Sequence, residues 1–285
     1  SRDGNPNMIG EQEWKFKIPL IDVTINPVKS DEDDINNVTE TKLSAIGVLA
    51  NGVPLFNPWH NTQDEYTSQK SDATTFATFS SCCGHPSGPQ PGMSGAGPYH
   101  YHKYPTCVAG NMGISNDRSI IKEHDMADVL DERLKLKGIK GHSPLLGYML
   151  DGYPIYGPLG TTSNVLDSET EIKILKSIYK FNTSSRKYTY DKNEGDLDKC
   201  NAIYSATPEY PKGCYHYVLS ITPDKNGKCY RTYQKMYAYK DEIKKPMITT
   251  SYPHTTIYYR GNPIELDLQN NNKNIKRSKL KDKIL

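Results

Sequence analysis

Residues 46–58, IGVLANGVPLFNP, align without a gap to residues 146–158, LGYMLDGYPIYGP, at an offset of 100. Gly47, Gly52, Pro54 and Pro58 match Gly147, Gly152, Pro154 and Pro158, and Leu55 and Phe56 match Ile155 and Tyr156. Asn51-Gly52 and Asp151-Gly152 are dipeptides that favour a two-residue hairpin turn with positive φ at both central positions. A second echo lies downstream: Gly97-Pro98-Tyr99-His100-Tyr101-His102 in the first half and Gly213-Cys214-Tyr215-His216-Tyr217-Val218 in the second. A unit this long, present twice, argues for two β-rich halves packed face to face and against a solenoid, which needs shorter and more numerous units.

The spacing between hairpin and echo is 47 residues in the first half and 63 in the second. The excess predicts an inserted helix over 168–179. There Ser168 and Glu171 form a capping box, and Ile172, Leu175, Ile178 and Tyr179 share a helical face. A further helix is expected near 119–136, where Met126, Val129, Leu130 and Leu134 recur at helical spacing before Gly138. Trp14, Phe16 and Ile18 alternate with polar residues, with Val23 and Ile25 continuing after Pro19, and predict strand. The expected fold class is mainly β: a disulfide-stapled sandwich or barrel-like domain of two pseudo-repeated halves with one or two short helices. Its boundaries are an N-terminal strand-containing arm over 1–44, a domain over 45–230 with halves near 45–110 and 145–230, C-terminal strands over 231–264 and a basic tail over 265–285.

Composition narrows the function classes. Residues 271–285 carry six Lys/Arg and one Asp, leaving 29 Lys/Arg against 32 Asp/Glu in the rest, which is not the basic footprint of a nucleic-acid binder. No apolar run approaches the roughly 18 residues of a transmembrane helix. Residues 1–20 lack a signal-peptide core, as expected of a mature chain after signal removal. Cys82, Cys83, Cys107, Cys200, Cys214 and Cys229 are even in number and contain no Cys-x-x-Cys pair, which favours a disulfide framework over a zinc ribbon. Cys107 is expected to pair with Cys82 or Cys83, leaving the other to reach toward 200–229. Sequons at Asn37 and Asn182 agree with secretion. The polar tail has too little apolar surface to offset its ordering entropy, so the termini are expected to engage protein subunits, another copy or a different chain.

The run CCGHPSGPQPGMSGAGPYHYHKYPTC followed by HSPLLGYMLDGYPIYGP resembles the YHYH-domain family, a group of mostly exported proteins named for the motif at 99–102. The likeness covers roughly residues 45–230 and rests on four blocks in order: the Asn-Gly hairpin, Cys-Gly-His-Pro, Tyr-His-Tyr-His and the His-Ser-Pro to Gly-Pro block. The resemblance implies export and a histidine block, and names no reaction.

Residues two apart on a strand project from the same face about 6.6 Å apart, so His100 and His102 can converge on one ion. His85 is the natural third ligand, from a segment that a disulfide to Cys107 would clamp nearby, and His142 is a fourth candidate. Copper and zinc both suit such imidazoles. His60, His124 and His254 carry no convergence signal, and the position of Asp151 before Gly152 is explained by the turn. Histidines satisfied by hydrogen bonds within a tyrosine-rich sheet are the competing interpretation. Walker, Gly-x-Ser-x-Gly and His-Glu-x-x-His motifs are absent. Three classes stand open: a secreted structural or binding component with a histidine-held ion, a secreted copper or zinc metalloenzyme, and a carbohydrate-binding module that presents exposed tyrosines to glycans.

Overall fold

The computed structural model describes residues 7–30, 36–63, 70–73, 79–80, 82–88, 96–111, 123–182, 187–229, 231–238, 241–248 and 253–264. The basic tail and the expected docking of both chain ends lie outside the described residues.

The repeat builds one eight-stranded sheet. The first half supplies β1 (Ala45–Leu49), β2 (Pro54–Phe56), β3 (Gly84–Pro86) and β4 (Tyr99–Tyr101). The second supplies β5 (Leu145–Met149), β6 (Pro154–Tyr156), β7 (Ala202–Ser205) and β8 (Cys214–Val218). In space the order is β7-β8-β6-β5-β1-β2-β4-β3, a palindrome about the β5–β1 joint. There Gly47 faces Met149, Val48 faces Tyr148 and Leu49 faces Gly147, so a local two-fold axis passes between Val48 and Tyr148. Ala50 N–H donates to Leu146 C=O at 2.8 Å and Leu150 N–H to Ile46 C=O at 2.9 Å, the same bond made from each side. The repeated glycines serve this joint: a Cβ on Gly47 would lie 2.9 Å from the Tyr148 carbonyl oxygen, and one on Gly147 would strike that of Val48.

The halves therefore join edge to edge in one open sheet, not face to face, and no barrel closes among the described residues. Each half repeats one topology, an antiparallel hairpin, then a parallel strand, then an antiparallel outer strand: Leu55 pairs with Tyr101 as Ile155 pairs with Tyr217. The hairpin turns are correctly placed but of another type. Gly52 and Gly152 have φ of 79° and 98°, whereas Asn51 and Asp151 are not left-handed. Leu49 N–H bonds to Val53 C=O and Gly52 N–H to Leu49 C=O, with the same pattern at Met149 and Gly152. That is a three-residue loop ending in a glycine bulge, which needs positive φ only at the glycine.

One face of the sheet carries the main core, where Ile46, Leu49, Leu55, Tyr101, Leu146, Met149, Ile155, Tyr215 and Tyr217 are buried together. Three helices are described: α1 (Thr106–Asn111), α2 (Glu123–Arg133) and α3 (Gly138–Gly141). Helix α2 falls where expected and buries Ala127 and Leu130. The helix expected over 168–179 is not formed. Residues Lys173–Ile174 pair as a strand with Leu159–Gly160, and Glu171 to Ile174 alternate exposed and buried. A period of two and a helical period both fit such a short apolar run, and pairing decided between them. The strand expected at 14–25 is also absent. Phe16, Ile18 and Ile21 pack on the core and Val23 C=O accepts from Tyr215 N–H at 2.8 Å, so the alternation marks core contact without a ladder.

Cys82 and Cys107 form a disulfide across 25 residues. The expected bridge from the first half to the second is not made: Cys83, Cys200, Cys214 and Cys229 are buried thiols. Cys83 turns inward at φ 66°, its sulfur 3.8 Å from Thr106 Oγ1. Residues 253–261 form a strap over the sheet. Thr255 Oγ1–H donates to Phe56 C=O at 3.0 Å, Tyr259 O–H to Ile46 C=O at 3.2 Å and Gly261 N–H to the Asp151 carboxylate at 3.0 Å. No helix among the described residues is long and apolar enough to cross a membrane.

Candidate metal centre

The outer pair of the first half brings the histidines together. Strands β3 and β4 run antiparallel with His85 directly opposite His100, and His102 follows on the same side. Their ring centroids lie 4.5 Å apart for His85 and His100, 5.2 Å for His85 and His102, and 4.7 Å for His100 and His102. One ring nitrogen from each falls in a group whose members are all within 4.8 Å of one another. All three side chains are buried, at 7, 3 and 4 % exposure. Gly84 permits this packing because a Cβ there would lie 2.5 Å from the Tyr99 ring.

The hydrogen bonds fix the tautomers. His100 Nδ1–H donates to Pro98 C=O at 2.9 Å and His102 Nδ1–H to Asn57 C=O at 2.6 Å. A carbonyl accepts only, so both Nδ1 atoms carry the hydrogen and each neutral ring presents an Nε2 lone pair. Those two Nε2 atoms face each other at 2.9 Å. Protonation is disfavoured throughout. His85 is pushed down to about 3 by burial, then by the charges of His100 and His60. Burial takes His100 to about 4 against the raising effect of its bond to Pro98, and holds His102 well below the ordinary imidazole value.

The wall is aromatic. Phe56 stacks on His100 at 4.0 Å and meets His102 edge-on at 5.9 Å. Phe79 lies 4.8 Å from His85 and 6.3 Å from His102. His60 acts electrostatically on all three histidines. It follows Asn57, the acceptor for His102, by three residues, a cue available only once β2 is placed beside β4.

His142 is not part of this group. It lies in the second half, where its ring and that of His216 flank Tyr156 at 5.5 and 5.0 Å. His142 Nδ1–H donates to Ser143 C=O at 2.7 Å and His216 Nδ1–H to Cys214 C=O at 3.1 Å, and the Nε2 atoms of both are buried without a hydrogen bond. Burial holds His142 low, and burial followed by the charge of His142 takes His216 down to about 3. His254 lies 3.5 Å from Asp72. Asp151 is structural: buried at 1 % exposure, it accepts from Tyr217 O–H at 2.6 Å and from the strap. Tyr101, Tyr215 and Tyr217 are 3, 1 and 2 % exposed and Tyr99 is partly buried against the same cluster, so the repeated tyrosines pack in or on the core.

The arrangement offers three neutral imidazoles converging in a buried, aromatic-walled site, with no carboxylate or thiolate in the group among the described residues. A family model described as YHYH protein matches residues 20–232. No curated protein and no solved structure matches the chain.

Proposed function

The chain belongs to the YHYH family, and we propose that it is a secreted binding or structural component whose His85, His100 and His102 hold one transition-metal ion, copper or zinc. The contact between His100 Nε2 and His102 Nε2 at 2.9 Å carries this reading. Two neutral rings that both donate through Nδ1 have no hydrogen to place between their lone pairs, and burial disfavours adding one. A cation resolves the conflict, and an ion about 2.0–2.1 Å from each nitrogen reaches both. Donation of the second ring N–H to a backbone carbonyl is the usual way a protein orients histidine ligands. The Cys82–Cys107 bridge supports an oxidising compartment, as does the exposed Asn37 of the first sequon. Burial of the trio favours holding an ion over turning over a large substrate. In this reading the termini join the protein to an assembly.

The test is the metal content of the natively purified full chain by mass spectrometry, beside His102→Val, which installs the residue found at the equivalent position 218. About one copper or zinc per chain is expected. Because loss of a group that merely orients a ligand costs 10–100-fold in affinity, loss of the ligand should cost about 100-fold or more. A variant that melts like the parent and keeps its metal would remove these residues as ligands.

A further inference from the structure

We propose that the trio holds copper as copper(I), an inference that rests on the metal reading above and goes on to name the ion and its charge. Among the described residues the ligand group contains three neutral imidazoles and no anionic ligand. Its rings are 3 to 7 % exposed, with Phe56 stacked at 4.0 Å on one side and Phe79 at 4.8 Å on another. Farther out, Lys103 Nζ lies 5.2 Å from the centre of the Phe79 ring, a cation against the aromatic wall.

A divalent ion in this enclosure keeps its full charge. The cost of moving an ion out of water rises with the square of that charge, so a monovalent ion incurs about a quarter of the penalty. Zinc on three protein ligands also takes a water in its fourth position, and that water needs polar partners of its own. Copper(I) is content with three ligands and needs no water. Imidazole accepts both metals, so the charge and enclosure of the site decide between them. A buried, weakly polar shell is likewise a means by which a protein tunes a metal's redox potential.

Anaerobic titration of the full chain with copper(I) against a chromophoric copper(I) chelator, beside titrations with copper(II) and zinc(II), tests the assignment. Copper(I) should bind one per chain and at least about ten-fold more tightly than either divalent ion. For a one-electron couple that ratio over copper(II) raises the midpoint potential of bound copper by about 59 mV. Phe79→Gln, which places an amide against the site, should narrow the copper(I) to copper(II) ratio by about three-fold or more. Copper(II) or zinc(II) bound as tightly as copper(I), or a ratio that Phe79→Gln does not move, overturns the inference and leaves the metal site standing. Failure to bind any of the three ions overturns both.

Discussion

Strands β4 and β8 carry the same Tyr-His-Tyr segment on equivalent strands. His100 and His216 each donate Nδ1–H to the carbonyl two residues back, Pro98 and Cys214. Tyr101 and Tyr217 each bond to the hairpin residue, Asn51 and Asp151. Beyond that the halves part. The residue opposite His100 is His85, while the residue opposite His216 is Ile203, and His102 is replaced by Val218. Leu175 and Leu197, from the longer connection of the second half, pack against Val218 and Ile203 to form a small apolar cluster. The same backbone thus supports a histidine cluster in one half and an aliphatic one in the other. A histidine tied to a carbonyl within this fold is not by itself a ligand; convergence of three is what separates the halves.

The largest expected effect concerns acid. His85 and His216 are lowered to about 3 and His100 and His254 to about 4, so the folded chain keeps these rings neutral while the unfolded chain takes up protons near pH 6.5. Stability is therefore intact above about pH 6.5 and falls as pH drops toward 4, by up to about 1.4 kcal/mol per pH unit for each such histidine. Denaturant unfolding of metal-free chain across this range measures it. Saturating metal should move the acid midpoint lower, because protons must then displace an ion from the trio, while the contribution of His216 stays the same. Stability that stays level from pH 7 to 4.5 would mean that the buried rings accept protons without unfolding.

The staple is next in size. Only the first half is bridged, so replacing Cys82 and Cys107 together by serine frees a loop of 25 residues and should cost about 3.5 kcal/mol in the chain-entropy model. Metal affinity should weaken with it, as β3 carries His85. An undiminished metal affinity in a destabilised protein would show that the pairing of β3 with β4 is enough to place the ligand.

The smallest effect compares the hairpin tips. Asp151 is 1 % exposed and accepts from Tyr217 and Gly261, whereas Asn51 is exposed and bonds to Tyr101 at 3.2 Å. Asp151→Ala leaves buried donors unmet and should cost about 1–3 kcal/mol. Asn51→Ala should stay within about 0.5 kcal/mol. Equal costs would mean that the strap contributes nothing at the second tip.

Local and repeated signals were legible in the sequence. Gly52 and Gly152 announced the hairpins because only glycine enters the left-handed region freely, and His-x-His at 100 and 102 announced convergence because a strand returns to the same face every second residue. Signals that depend on partners were not. Lys173 and Ile174 became strand because Leu159–Gly160 lay beside them. Cys83 stayed a thiol because a positive φ turned it toward Thr106. His142 carries a motif position but follows helix α3 and packs with His216 about Tyr156, and the influence of His60 arises from a packing that no spacing reports.

The β1–β5 joint, with Val48 against Tyr148 and Gly47 against Met149, is isologous: one patch meets its own copy. Two separate single-repeat chains meeting through such a patch would be bound to symmetry, each change in sequence appearing at both outer edges at once. With the copies in a single polypeptide, a substitution at one edge is made alone. That independence lets β3 and β4 carry a charge-seeking cluster while β7 and β8 keep an oily one, and the unchanged edge preserves the fold during the experiment.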